Sequence, residues 1–293
     1  MKKLMIALLL ILLPLWACAE AADLADLPTY LYEENEVYLG EDEAWLFGIQ
    51  MLPITSGVDE KVPLVILSHG LGGSYEECLP YARELASHGV AAFCFDFRNS
   101  GGMSDGEVTD MSVLTEVADL EEILKEAQQW EQIDPERIVL LGFSQGGLVS
   151  AITAAWHEEE IAGVVLYYPA LIMAENLHEM FSSLDEVPDT FGFRWVRAGR
   201  IYVEDMWAFD VYGEVSQYTK KVLLFHGDAD PIVPLSSSER AMEVYQNAEL
   251  IVMPGAAHGF IGQDFQDSML HVFQYLQEIA VWENNPETEV PGE

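Results

Sequence analysis

Seven consecutive positions, Val62–Ser68, read VPLVILS, with no charge and no polar alternation. Such a run fits a strand buried on both faces. Val90–Phe97 also reads as a buried strand, and Arg137–Phe143, Ile161–Tyr168, Lys221–His226 and the shorter Leu250–Met253 read as further strands. Between them lie stretches with helical spacing: Glu77–His88, Met111–Glu131, Gln145–His157, Ser237–Gln246 and Phe265–Trp282. Gly89 stops the first of these helices, and Pro169 stops the strand before it. Upstream, Glu36–Gly40 and Ala44–Met51 predict two further strands. Strand and helix then alternate. That order predicts an α/β fold over residues 30–283, with a mostly parallel eight-stranded sheet and helices on both faces.

One stretch breaks the alternation. Ala170–Ser216 has no clean period and is rich in aromatic residues. A long insertion between two core strands predicts a small cap, at about 170–216, over the C-terminal edge of the sheet. Residues 284–293 are polar, contain two prolines and predict a mobile tail.

The first residues follow a different logic. Lys2 and Lys3 precede the apolar run Leu4–Leu13, which Pro14 ends, and Ala17-Cys18-Ala19 follows. A basic start, a short apolar stretch and small residues at the end predict a secretory signal over 1–19. The run is short for a membrane span. Leu15-Trp16-Ala17-Cys18 also resembles a lipobox, in which Cys18 would carry a lipid anchor. Trp16 is bulky for that motif, so plain secretion is favoured over a surface lipoprotein. Two cysteines then remain, Cys78 and Cys94. Export permits their pairing; their places in a helix and an apolar strand equally fit separate buried thiols.

Charge removes several function classes. The chain has 50 acidic against 13 basic residues, a net charge of −37. Nucleic acid is a poor partner, because phosphate binding needs clustered Lys and Arg. An anionic membrane surface is repelled for the same reason. With 50% hydrophobic residues the chain has ample material for a core and is not a disordered polyelectrolyte. No His/Cys/Asp group has metal-ligand spacing, so no metal and no cofactor are expected, and no protein partner is implied.

The chemistry concentrates at three strand ends. Gly142-Phe143-Ser144-Gln145-Gly146 joins a strand to a helix. A serine on so sharp a turn needs glycine two places before and after, where side chains would collide. A serine hydroxyl needs a base to take its proton, and the base a carboxylate to orient it. For this turn the acid precedes the histidine in sequence. His226-Gly227-Asp228-Ala229-Asp230 supplies the acid, with Asp230 preferred and Asp228 read as a turn cap. Ala257-His258-Gly259 supplies the base, His258. His69 and His226 close strands and read as structural hydrogen-bonders. His88 reads as a helix end, and His157, His178 and His271 as helix or cap surface. The oxyanion needs fixed donors. The Gln145 N–H is one, and the Leu71 N–H of His69-Gly70-Leu71-Gly72-Gly73 is the second.

These segments, with Phe95-Asp96-Phe97-Arg98 and Ser104-Asp105-Gly106, carry a resemblance. From about residue 36 to 282 the chain resembles α/β-hydrolase-fold serine hydrolases and is similar to bacterial feruloyl (cinnamoyl) esterases. The resemblance implies Ser144 as nucleophile, Asp230 as acid, His258 as base, and oxyanion N–H groups on Leu71 and Gln145. Arg98-Asn99-Ser100-Gly101-Gly102-Met103 departs from the Arg-Gly-His-Gly that relatives often carry.

The expectation is a secreted serine carboxylic-ester hydrolase acting through an acyl-enzyme on a small-molecule or polysaccharide-linked ester. The cap aromatics, with Phe191, Trp195 and Trp207 as candidate substrate contacts, suggest a feruloyl or similar acyl group. Arg194, Arg197 and Arg200 would guide an anionic substrate or pair with Glu204 and Asp205. The alternatives are a serine exopeptidase, a lipase-like acylglycerol hydrolase and a non-catalytic binding protein on the same fold.

Overall fold

The computed structural model describes residues 23–40, 44–55 and 61–284. The signal segment 1–19, Cys18 and the tail beyond residue 284 lie outside the described residues. Among the described residues, ten strands and eight α-helices follow in chain order: β1 (Tyr32–Leu39), β2 (Leu46–Pro53), β3 (Val62–Ser68), α1 (Tyr75–Ser87), β4 (Ala91–Phe95), α2 (Val113–Ala127), β5 (Ile133–Phe143), α3 (Gln145–Trp156) and β6 (Gly163–Tyr167). The insertion holds α4 (Met173–Met180), β7 (Thr190–Phe193), β8 (Val196–Gly199), α5 (Ile201–Met206) and α6 (Val211–Val215). The chain then returns through β9 (Val222–Gly227), α7 (Ser236–Val244), β10 (Ala248–Met253) and α8 (Gln263–Glu278).

Eight strands form one sheet in the order β1-β2-β4-β3-β5-β6-β9-β10. The pairs β1/β2 and β2/β4 are antiparallel, and all others are parallel. The expected architecture is therefore observed. Every residue of β3 and β4 is buried. Alternate side chains serve opposite faces, as the pleat dictates. Leu64 and Ile66 pack with α2 and α3 residues such as Leu120 and Leu148, whereas Val65 and Leu67 pack with Leu85 of α1 and Phe273 of α8. Truncating one of these, Leu67 for example, removes contacts on a fully covered face and costs roughly 2–5 kcal/mol.

Element ends differ from the sequence expectation where local chemistry overrides period. The helix expected over 111–131 is shorter. Ser112 begins it by accepting the Thr115 N–H at 3.1 Å, in a reciprocal cap. The strand expected from Arg137 begins earlier, at Ile133. In the insertion, helices of five to eight residues and a hairpin of two four-residue strands are too short to show a period. The insertion is docked rather than loose. Ser112 Oγ donates to Asp205 at 2.5 Å, and a Cβ on Gly199 would fall 1.8 Å from the Thr109 carbonyl. Among the described residues, no helix is long and apolar enough to cross a membrane.

Candidate active site

Ser144 sits between β5 and α3 with φ 52° and ψ −114°. A side chain held at positive φ is strained, and the surrounding structure must over-determine it. Four backbone hydrogen bonds do so. The Ser144 N–H donates to the Tyr167 carbonyl at 2.9 Å, and its carbonyl accepts the N–H groups of Gly147, Leu148 and Ala170 at 2.9–3.2 Å. The glycines answer to contact. A Cβ on Gly142 would lie 2.2 Å from the Gly146 carbonyl, and one on Gly146 would lie 2.3 Å from the Ser68 carbonyl.

Asp230 and His258 come from the loops after β9 and β10, adjacent parallel strands. His258 Nδ1 lies 2.7 Å from Asp230 Oδ2. That bond assigns the proton to Nδ1 and leaves Nε2 as the basic nitrogen. The His258 ring also lies against Tyr168, with centroids 4.5 Å apart. Burial alone would raise the Asp230 pKa. Hydrogen bonding from His226 and His258, and from the Ile232 and Val233 N–H groups at 2.8 and 3.0 Å, holds it below its ordinary value instead. The carboxylate is therefore anionic across the working range. Asp228 instead accepts the Gly255 N–H at 2.6 Å and ties the two loops together.

The remaining histidines have other partners. His226 Nε2 lies 2.9 Å from the Val233 carbonyl and 3.5 Å from Asp230 Oδ2. His69 Nδ1 donates to the Gly70 carbonyl at 2.8 Å while its Nε2 accepts the Phe97 N–H at 3.2 Å. Burial lowers its pKa and keeps it neutral. His88 is buried beside Glu84 and the Pro28 carbonyl, and His157 bridges Glu121 and Glu160. His178 lies against Trp207 with ring centroids 4.0 Å apart, and its Nε2 bonds the Trp207 carbonyl at 2.8 Å.

Ser144 and His258 line one cavity of about 620 Å³. Six aromatic rings form much of its wall: Tyr81, Phe143, Tyr168, Trp195, Phe260 and Phe265. Glu77 adds a carboxylate, whose pKa burial raises and the nearby His258 pulls back. Leu71 and Gly70 line the same space. A smaller recess shares Ser144, Leu71 and Trp195 with it and adds Gln145, Arg194 and Ile232. Gln145 opens α3, so its N–H belongs to the first helical turn and has no intrahelical carbonyl to bond.

Of the three aromatic contacts expected in the cap, the structure brings only Trp195 to this cavity. Phe191 packs against Phe181 and Phe193, and Trp207 against His178, so both correct the expectation. Five of the rings at the cavity lie outside the cap. Tyr168 directly follows β6 and Phe260 lies two residues after His258, positions the strand-end pattern could have flagged, whereas Phe265 lies in the first turn of α8. Of the arginines, Arg200 pairs with Glu204 at 2.6 Å, Arg197 bonds Thr190, and Arg194 reaches the Ile232 carbonyl at 3.3 Å. Asp205 is taken by Ser112. Cys78 and Cys94 are unpaired and buried; burial pushes Cys78 well above the ordinary thiol range and Cys94 up to about 12. Among the described residues, no group of three or more His, Cys, Asp or Glu side chains is placed to hold a metal ion.

Residues 63–206 match the family described as alpha/beta hydrolase fold, and residues 205–285 the one described as TAP-like protein. The uncharacterized protein YfhR of Salmonella typhi is 26% identical over 254 residues, covering 84% of this chain and 83% of its own. The solved structure of Est1E from Butyrivibrio proteoclasticus with ferulic acid bound superposes with a TM-score of 0.74 at 25% identity, over 83% of this chain and 99% of that one. Butyrate-bound esterase 2 from Thermogutta terrifontis gives a TM-score of 0.62 at 21% identity, over 89% and 98% of the two chains, and shows the fold. The two matches together span residues 63–285, so the chain belongs to the α/β-hydrolase-fold family and is related to Est1E.

Proposed function

We propose that the protein is an exported serine carboxylic-ester hydrolase with Ser144 as nucleophile, His258 as general base and acid, and Asp230 as the carboxylate that orients His258. The observation that carries this reading is the Asp230–His258 bond at 2.7 Å beside a strained Ser144 on the same cavity. His258 Nε2 takes the Ser144 proton as Oγ bonds to the ester carbonyl carbon. The carbonyl oxygen becomes an oxyanion facing the N–H groups of Leu71 and Gln145. His258, now an imidazolium held by the Asp230 carboxylate, gives its proton to the departing alkoxide as the carbon–oxygen bond breaks. Water repeats the sequence on the acyl-enzyme and restores Ser144.

The larger cavity takes the acyl group. Its aromatic wall suits a flat, aromatic acyl chain such as a hydroxycinnamate, and Glu77 offers an acceptor for a ring hydroxyl. Ferulic acid bound to the structurally similar Est1E supports the same substrate class. Export rests on the signal-like segment 1–19, and intact mass of the cell-derived protein reads whether Cys18 carries a lipid.

A fluorophosphonate probe tests the reaction class. It is expected to label the wild type and to fail on Ser144→Ala, with kcat on p-nitrophenyl butyrate falling at least about 10,000-fold. Full hydrolysis by Ser144→Ala removes the mechanism. Methyl ferulate compared with butyrate esters tests the substrate: negligible turnover of the former removes the feruloyl assignment.

A further inference from the structure

Both residues assigned as oxyanion donors are held by side chains of the cap. The Leu71 link comes first. The Gly70 carbonyl accepts from His69 Nδ1 at 2.8 Å and from the Gly73 N–H at 3.0 Å. A trans peptide is planar, so fixing that carbonyl aims the Leu71 N–H in the opposite direction. On the other side of Leu71, its own carbonyl accepts the indole N–H of Trp195 at 2.6 Å. Both peptide planes flanking Leu71 are thereby fixed, one by the loop itself and one by the β7–β8 hairpin of the cap.

The second link reaches Gln145 from within the core. Its side-chain carbonyl accepts the Tyr202 hydroxyl of α5 at 2.5 Å, and its amide donates to Glu116 Oε2 of α2 at 2.8 Å. Tyr202 and Gln145 are fully buried and Glu116 is 2% exposed. Burial pushes Glu116 up to about 8, against the pull of the Gln145 amide and with a further push from Asp119. The acid is then neutral at pH 7, and the three groups form an uncharged chain running in one direction. Removing one member leaves a buried partner unsatisfied. The triad already described uses none of these three side chains.

We infer that the cap holds the oxyanion hole in register, with Trp195 and Tyr202 of the cap, and Glu116 of α2 behind Gln145, as positioning residues for Leu71 and Gln145. This rests on the proposed roles of Leu71 and Gln145. It gives the insertion a task beyond covering the cavity, because the hole is complete only while the cap is docked.

The test is steady-state kinetics on p-nitrophenyl butyrate with Tyr202→Phe, Glu116→Ala, Glu116→Gln and Trp195→Phe. Tyr202→Phe, Trp195→Phe and Glu116→Ala are expected to lower kcat about ten-fold or more, with KM within about three-fold. Glu116→Gln keeps an acceptor for the Gln145 amide and is expected to stay within about three-fold of the wild type. The pH profile gives a readout that loose packing would not move. Wild-type kcat is expected to fall above about pH 8 as Glu116 ionises, a fall that Glu116→Gln lacks. The groups facing Glu116 are Asp119 on its own helix, bound to Arg98 at 2.6 Å, and Tyr202 from α5, held well above the ordinary tyrosine range. Gln145 from α3 and Met111 are uncharged.

If Tyr202→Phe and Trp195→Phe keep kcat within two-fold, or if the loss falls on KM alone, the inference is overturned. An alkaline limb unchanged in Glu116→Gln overturns it as well. Tyr202→Phe and Glu116→Gln conserve shape, so the pair decides even if Glu116→Ala does not fold. Fluorophosphonate labelling is run alongside. An unlabelled wild type overturns the serine-hydrolase reading itself, whereas a labelled wild type whose variants keep kcat overturns the positioning role alone.

Discussion

Asp230 and Glu116 are both shut away from water within reach of the Ser144 turn, yet their surroundings treat them differently. Asp230 receives two backbone N–H groups and His258 Nδ1 at 2.7–3.0 Å, with His226 behind them, and its pKa is held low. Glu116 receives one amide from Gln145, lies near a second acid, Asp119, and is pushed up to about 8. Burial disfavours the charged form in both cases. What separates them is the number of donors at the carboxylate. One side of the turn therefore holds a permanent anion against His258. The other holds a neutral acid that keeps the chain from Tyr202 through Gln145 in place without adding charge there.

The sharpest way to break the contrast is Asp230→Asn, which removes the anion and permits the wrong histidine tautomer. Turnover of p-nitrophenyl butyrate is expected to fall about 10,000-fold with the fold retained, as far-UV circular dichroism would show. A variant within ten-fold of the wild type means Asp230 does not orient His258.

Stability against pH separates the two carboxylates more gently. The folded-state pKa of Glu116 lies above its ordinary value of 4.5, so its contribution is fully present below pH 4.5 and is lost as pH rises toward about 8. Glu116→Gln has no such loss. It is expected to be more stable than the wild type by about 3 kcal/mol at pH 7, with the gap closing toward pH 4, read from urea unfolding at each pH. For Asp230 the sign is reversed. Its folded-state pKa is depressed below 3.8, so its contribution is present above that value and is lost as pH falls through the lower folded-state value. Asp230→Asn is therefore expected to lose stability relative to the wild type at pH 6, and less so in strong acid.

The smallest effect is expected at Asp228, two residues from Asp230. Asp228→Asn weakens the acceptor for the Gly255 N–H at an exposed site. It should cost about 1 kcal/mol of stability and leave kcat within about three-fold. A large loss of turnover there would transfer the role of acid from Asp230.

Much of this arrangement was legible in sequence, for local reasons. The unbroken apolar runs of β3 and β4 marked strands with no face toward water, and hence the layered α/β fold. Gly142 and Gly146 marked the turn at Ser144 because contact excludes a side chain at either position. Asp230 and His258 stand out in sequence because each follows a strand within a short, glycine-containing loop, and the structure brings the two to 2.7 Å. Phe191 and Trp207 were misplaced because aromatic content says nothing about which neighbour a ring meets. Trp195 reached the cavity at the hairpin tip, beside Arg194 at φ 54°, whereas Phe191 on the same hairpin turned toward Phe181. Glu116 and Tyr202 gave no signal at all. A glutamate on an amphipathic helix reads as a solvated charge until another element is packed over it.

The chain's order of apolar runs and glycine turns, by itself, determined the layered sheet and the loops from which Ser144, Asp230 and His258 emerge. Those features depend on neighbours a few residues away or on a pattern repeated along one strand. Only the tertiary structure decided which aromatic rings wall the cavity. It also decided which of the 50 acidic residues are charged where it matters, and that the cap reaches back to Leu71 and Gln145. The physical reason is that burial and hydrogen-bond supply are set by elements distant in sequence. Glu116 becomes a neutral acid only because α3 and α5, 29 and 86 positions downstream at Gln145 and Tyr202, close over it.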